Sequence, residues 1–311
     1  MASLLTRRQG LVGLGALASL LPLNALGQSK NTQDFSDILS RAVKVGALSP
    51  EAVPGGLVTD ADRQLLLAEI VVATVSSPNP DAAGLAIDSG QALSRLNAAL
   101  QTRTRKTTPP AFSELSSHYR ELFDKCAVKS EHIPEIDRWI AFFTRDRNVQ
   151  QYRALEKITN VPWYFIATLH LREASANFLG HLHNGDPLRA LTKQVPKNRP
   201  PPPWPPNPWD PVKAWVSSAD DALTLEGFSG RSSSSWTVER SLYRFEKYNG
   251  FGYLYHKVPS AYLWNFSSVS RPGGYASDGK WSSSYISRQI GAAVLIKRMM
   301  EKNIIKLSYE T

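Results

Sequence analysis

One cysteine, Cys126, occurs in 311 residues, so no disulfide can form within the chain. That scarcity fits folding in a reducing compartment. Beyond the first thirty residues, no apolar run is long enough to cross a bilayer. The chain has no Gly-x-Ser-x-Gly elbow to present a serine nucleophile. It has no glycine-rich phosphate loop after a strand, and no His-Glu-x-x-His pair to hold zinc on a helix. Glu173 follows His170 with two residues between them, which is not that pattern. No concentrated basic helix and no nucleic-acid motif is present, which argues against a nucleic-acid partner. There is no internal repeat. What remains open is acid–base chemistry on carboxylates or histidines.

The N-terminus reads MASLLTRRQGLVGLGALASLLPLNALGQ. Arg7-Arg8 precedes an apolar run from Leu11 to Leu23, and Ala25-Leu26-Gly27 offers a small-x-small cleavage site. Residues 1–27 are expected to be a signal peptide of the twin-arginine type. The run is short and broken by Gly and Pro, so a retained membrane span is disfavoured. Localisation is then periplasmic or secreted. Removal of Arg7 and Arg8 takes the formal net charge from +9 to +7, with 34 basic residues against 27 acidic ones. A modestly basic exported chain suits an anionic surface such as a cell wall.

Residues 28–100 show three helical patterns and little chemistry. Phe35, Ile38, Leu39 and Ala42 share a face, and Gly46 can end that helix. Thr59-Asp60 opens the second, and Asp81 to Leu100 carries the third. Residues 101–111 read as a polar, basic linker. From 112 to 311 a second unit is expected. Its helices lie around Phe112–Leu122, Ile136–Phe143, Val149–Leu155, Pro162–Glu173, Trp215–Leu223, Trp236–Tyr248 and Ser283–Glu301. His181-Leu182-His183 and Lys193–Val195 read as the two strands of a hairpin about Asn184-Gly185-Asp186-Pro187. Nine prolines between 196 and 211 require an extended, polyproline-like path.

The stretch Pro162–Leu188 carries the main candidate. Ile166, Leu169 and Glu173 are spaced i, i+3, i+7, so Glu173 falls on an apolar stripe near a helix C-terminus. Burial and the negative end of the helix dipole both raise a carboxyl pKa there. A protonated carboxylic acid is what a general acid requires. The alternative is a buried glutamate paired with an arginine such as Arg172. Asp186 follows in the next turn, with Thr192 after it. Two carboxylates flanking a glycosidic bond suffice for hydrolysis, one protonating the leaving oxygen and one placing a water. Plain turn chemistry also explains Asp186. His170, His181 and His183 form a rival zinc-type set, although hydrogen-bonded histidines shaping the turn are the commoner use. Eight tryptophans, all from Trp139 onward, offer flat faces for sugar or for the core.

These residues together carry a resemblance. Val161–Leu188, with Pro162-Trp163-Tyr164, His170, Glu173, Phe178 and His181–Leu188, looks like a bacterial lysozyme-like family of exported proteins. The likeness continues through Thr192, Val195-Pro196, Trp215, Ala222-Leu223, Glu246–Tyr253, Pro259-Ser260, Tyr262-Leu263-Trp264 and Asp278-Gly279-Lys280, covering about 112–298. It implies an α+β, predominantly α-helical, lysozyme-like fold with a small β-hairpin, preceded by a small helical N-terminal region. It further implies cleavage of peptidoglycan glycan strands at β-1,4 bonds, with Glu173 as general acid and no cofactor. Asp186 and Thr192 resemble the Asp and Thr of phage-type lysozymes. Tyr248-Asn249-Gly250 is similar to a sugar-lining motif of lytic transglycosylases and goose-type lysozymes. His183, Trp264 and Trp281 are further candidates for sugar contact. A lytic transglycosylase, a chitinase-type enzyme, a zinc amidase and a non-catalytic wall-binding protein are the rival readings.

Overall fold

Capping chemistry places most of the helix ends. The computed structural model describes residues 28–53, 58–100, 109–277 and 280–311. The signal-peptide expectation, most of the linker and the turn at 278–279 lie outside these. Helix α1 (Gln28–Lys44) is followed by Gly46 at φ +71°, a left-handed position that suits glycine. Helix α2 (Asp60–Thr74) begins with a capping box. Thr59 Oγ1 accepts from the Asp62 N–H, and the Asp62 carboxylate accepts from the Thr59 N–H. Helix α3 (Pro80–Leu100) starts on its proline. Then come α4 (Phe112–Lys125), α5 (Ile133–Thr144) with Pro134 in its first turn, and α6 (Asp146–Thr159), closed by Asn160 at φ +58°.

Helix α7 (Trp163–Ala174) has no polar face, and a helix of that kind must be enclosed. Helix α6 packs along it, as do α3 and α12 (Ala292–Glu301). Helix α8 (Pro211–Leu225) is capped by the Asp210 carboxylate, which accepts from the Val212 and Lys213 N–H groups. Helix α9 (Val238–Asn249) is capped by Thr237 and stopped by Gly250 at φ +98°. Two single-turn helices, α10 (Gly252–Tyr255) and α11 (Ala261–Trp264), stand where the sequence suggests aromatic loops. Strands β1 (Gly274–Ser277) and β2 (Lys280–Ser282) form one antiparallel hairpin, pairing Tyr275 with Trp281. Twelve α-helices, three single-turn 3-10 helices and this two-stranded sheet are the regular structure of the described residues, so the chain is predominantly helical with a small β element.

Two expected elements are corrected. The hairpin is not at 181–195. There the backbone makes one isolated bridge, between Gly180 and Pro187, and otherwise turns. Side chains take over the bonds a ladder needs. Asn184 Oδ1 accepts from the Asp186 N–H, and Thr192 Oγ1 accepts from the Arg199 N–H. The prolines that follow have no N–H to pair. The last helix begins at Ala292 rather than near Ser283. Gly291 lies so close to the Leu263 carbonyl that a Cβ would sit 2.3 Å from its oxygen. That backbone contact fixes the chain just before the first helical turn.

The helices of residues 28–100 share one apolar core with the rest. Leu66, Leu67, Leu85 and Leu93 are buried and contiguous with Phe165, Leu171 and Leu182. Arg138–Asp62 (2.9 Å), Arg145–Glu69 (2.8 Å) and Arg288–Asp60 ion pairs surround that junction. Among the described residues, no helix is long and apolar enough to cross a membrane.

Candidate active site

Every residue of α7 is buried except one, Glu173. The expected apolar stripe is therefore a helix packed around its whole circumference, and the acid sits at its one accessible point. Ser175 and Ala176 follow at φ +53° and +55°. Two successive non-glycine residues in the left-handed region hold strain, roughly 1–3 kcal/mol each, and need surrounding structure to fix them. That structure comes from far away in sequence. Gln64 Nε2 donates to Ser175 Oγ (2.9 Å), and Ser175 Oγ donates to Asn97 Oδ1 (2.8 Å). Asn97 Nδ2 donates to the Glu173 carbonyl oxygen (2.5 Å). The N-terminal helices α2 and α3 thus lock the turn that directly follows the acid.

The carboxylate of Glu173 accepts at Oε1 from the Tyr262 hydroxyl, 2.6 Å away. Tyr262 is buried on α11, and its hydroxyl pKa lies well above the ordinary value. Burial is the main cause, and the neighbouring Glu173 charge adds to it. Tyr262 therefore remains a donor at all ordinary pH. The Arg172 guanidinium lies 4.3 Å above the Tyr262 ring, and its Nη1 donates to the Ile290 carbonyl (2.9 Å). Tyr248, on α9, is close enough to Tyr262 to contribute to the same shift. Its hydroxyl donates to the Leu182 carbonyl (2.8 Å). Glu173, Tyr262, Arg172 and Tyr248 form one polar group drawn from α7, α9 and α11.

The turn after α7 reaches the same place with its backbone. Gly185, at φ +76°, lies under the end of the helix, and a Cβ there would sit 2.8 Å from the Glu173 carbonyl oxygen. Its neighbour Asp186 is 8 % exposed, with Oδ2 accepting from the Lys193 N–H (2.8 Å) and the Gln194 N–H (2.9 Å). Thr192 Oγ1 donates to the Pro196 carbonyl (2.5 Å) and accepts from the Arg199 N–H (2.9 Å). The side chains of Asp186 and Thr192 are thus committed to shaping residues 184–199. No described contact joins either to the Glu173 carboxylate.

The histidines are engaged separately. His181 lies between Ser218 Oγ (2.6 Å) and the Ala190 carbonyl (2.7 Å). His183 Nε2 meets Asp221 Oδ2 at 2.9 Å, and Arg199 Nε donates to that same oxygen at 2.9 Å. Burial pushes the His183 pKa down to about 4, so the ring is neutral near pH 7. His170 contacts the Tyr152 hydroxyl through Nδ1 (3.1 Å), and burial takes its pKa to about 3. Among the described residues, no three His, Cys, Asp or Glu side chains are grouped to hold a metal.

The expected sugar contacts divide. His183 is enclosed and turned to Asp221, which corrects its assignment to a sugar face. Trp264 is 1 % exposed within the main core, so its indole offers no open face. Trp281, on β2, is half-buried and stacks one face on His256 at 3.7 Å. Tyr248 stands beside Tyr262, and Asn249, half-buried, follows it at the end of α9. Sequence reasoning missed Tyr262, Asn97 and Gln64 as partners of the acid. Tyr262 and Asn97 reach it directly and Gln64 through Ser175, each across 76 residues or more, and no local pattern records such a pairing. Comparison with family models, with curated proteins and with solved structures returns no match to this chain.

Proposed function

We propose that the chain is an exported, lysozyme-like enzyme that cleaves the β-1,4 glycan strands of peptidoglycan, with Glu173 as the general acid. The supporting observation is the placement of Glu173. It is the single accessible side chain of an enclosed helix, held at Oε1 by a tyrosine that stays protonated. Such a carboxyl is aimed by rigid structure, as a group that must meet a glycosidic oxygen needs to be. Tyr248 and Asn249 are the candidate sugar contacts, with Trp281 a further candidate. In hydrolysis a water attacks the anomeric carbon. Asp186 and Thr192 are the sequence's candidates for placing it.

A second reading has its own support. A lytic transglycosylase uses one acid and needs no activated water, because the sugar's own hydroxyl attacks and leaves an anhydro end. Asp186 and Thr192 already satisfy backbone groups of their own loop, which favours this single-acid course. Mass spectrometry of products from purified murein separates the two by one water. Glu173→Gln is expected to abolish clearing of murein, by about 100-fold to 10,000-fold, with helical circular dichroism unchanged. Retained clearing by that variant overturns the proposal. Binding of murein without any cleavage by the unaltered chain makes it a wall-binding protein instead.

A further inference from the structure

Far from Glu173 in sequence, α9 builds a second feature. Arg240, Arg244 and Lys247 recur at i, i+4 and i+7, so they share one helix face with Tyr243 beside them. With Phe112, Phe228 and Arg231 they line a cavity of about 300 Å³, the lower end of the range for small-ligand pockets. Four cations and three aromatic rings thus face one space.

Arg231 and Arg244 are held by rings and carbonyls, whereas Arg240 and Lys247 also meet carboxylates. The Arg244 guanidinium lies 4.1 Å over the Trp236 ring, and its Nη1 donates to the Ser235 carbonyl (2.6 Å). Arg240 lies 4.5 Å over Phe112, and Lys247 lies 5.3 Å over Phe228. Arg231 Nε donates to the Gly227 carbonyl (2.8 Å). Carboxylates stand at the margin. Glu310 pairs with Arg240, and Glu226 with Lys247 at 4.0 Å. The charge of Glu114 is felt at Tyr243. Arg244 is different. It is only 6 % exposed, and among the described residues no carboxylate lies within 4.0 Å of it. Burial first, and then the positive charges of Arg231 and Arg240, lower its pKa to about 10. It stays charged at neutral pH, opposed by the Arg231 and Arg240 charges and favoured less strongly by Tyr164 and Glu310. A buried guanidinium without a carboxylate is an unfavourable arrangement that a bound oxyanion relieves.

We propose that this cleft binds a small ligand carrying a carboxylate or a phosphate beside a flat apolar group. Arg244 and Arg231 would take the oxyanion, the buried Arg244 from within and the exposed Arg231 from the serine-rich loop. Phe112 and Tyr243, edge to face at 5.6 Å, would take the flat group. The guanidinium fork suits either planar carboxylate or phosphate oxygens.

The test is calorimetric titration of the full chain with phenyl phosphate, benzoate, inorganic phosphate and neutral benzyl alcohol, with tryptophan quenching as a second readout. Phenyl phosphate or benzoate is expected to bind saturably, and benzyl alcohol at least tenfold more weakly. The tighter of the two charged probes identifies the oxyanion. Arg244→Gln and Arg231→Gln are each expected to weaken binding at least tenfold, while Arg271→Gln, an exposed arginine elsewhere, leaves it unchanged. Arg231 is exposed, so its variant carries the test should the Arg244 variant misfold. Unchanged binding by Arg231→Gln, or equal binding of benzyl alcohol, overturns the proposal. Inorganic phosphate binding as tightly as phenyl phosphate overturns its apolar half. None of these readouts involves glycan cleavage, so they stand or fall apart from Glu173.

Discussion

The end of α7 and the turn that follows it lie against one another, yet they treat their carboxylates in opposite ways. Glu173 is carried by a helix whose other residues are all buried, and its backbone is clamped by Asn97. Its side chain is what remains accessible. Asp186 sits on irregular backbone, and its oxygens satisfy the N–H groups of Lys193 and Gln194. Within a helix the backbone pairs with itself, and at this helix end Asn97 serves the Glu173 carbonyl, so the Glu173 side chain is left for other work. A loop borrows side chains to pair its backbone. Two acids of similar appearance in the sequence therefore have different freedom.

Glu173→Gln gives the largest expected effect, the loss of murein clearing described above. Next comes the contact between the two regions. Gly185→Ala places a Cβ 2.8 Å from the Glu173 carbonyl at a positive φ. It is expected to lower the melting temperature and to reduce clearing together, since relief requires the helix end or the turn to move. A variant with unaltered melting and unaltered clearing would dissolve the link between them.

Asp186→Asn separates the roles of the second region. If Asp186 is a loop fastener, the change weakens charge-assisted bonds to two N–H groups and costs about 1–3 kcal/mol of stability. Activity per folded molecule then survives. Loss of clearing at unchanged stability would instead return Asp186 to the chemistry and favour hydrolysis. Asn97→Ala makes the matching test on the first region. It removes the donor to the Glu173 carbonyl and the acceptor of Ser175 Oγ, with an expected loss of about 1–3 kcal/mol.

This contrast also explains what could be read in advance. Helix periodicity and caps are local, so Thr59, which opens α2, and Gly46, just past α1, marked real boundaries. The position of Glu173 at a helix end followed from i, i+3, i+7 spacing. Its setting did not, because Tyr262, Asn97 and Gln64 come from three other helices. Residues 181–195 resembled strands in composition, but their outcome depended on which side chains captured the backbone. Trp264 shows the same limit. An aromatic residue among turns reads alike whether it faces sugar or core, and only packing puts it inside.

The smallest effect expected is with pH. His183 is held neutral against Asp221 and Arg199, with its pKa moved from 6.5 down to about 4 by burial. The unfolded chain therefore binds a proton that the folded chain refuses between those values. Stability from this group is complete above pH 6.5 and declines as pH falls toward 4. At about pH 5.5 the loss is about 1 kcal/mol, one pH unit of proton binding. Glu246 works against it. Burial raises its pKa from 4.5 to about 7, so its contribution is complete below 4.5 and is lost as pH rises through 7. The two trends overlap and partly cancel in the unaltered chain. His183→Gln keeps a donor toward Asp221 without a titrating ring, so its melting temperature should fall less on acidification than that of the parent. His170 on α7 loses stability over the same acid range, so His183→Gln is expected to delay the rise of amide exchange in residues 181–199 but not that in α7. An equal delay in both would mean that the turn and the helix end open as one unit, and that their different freedom belongs to the side chains alone.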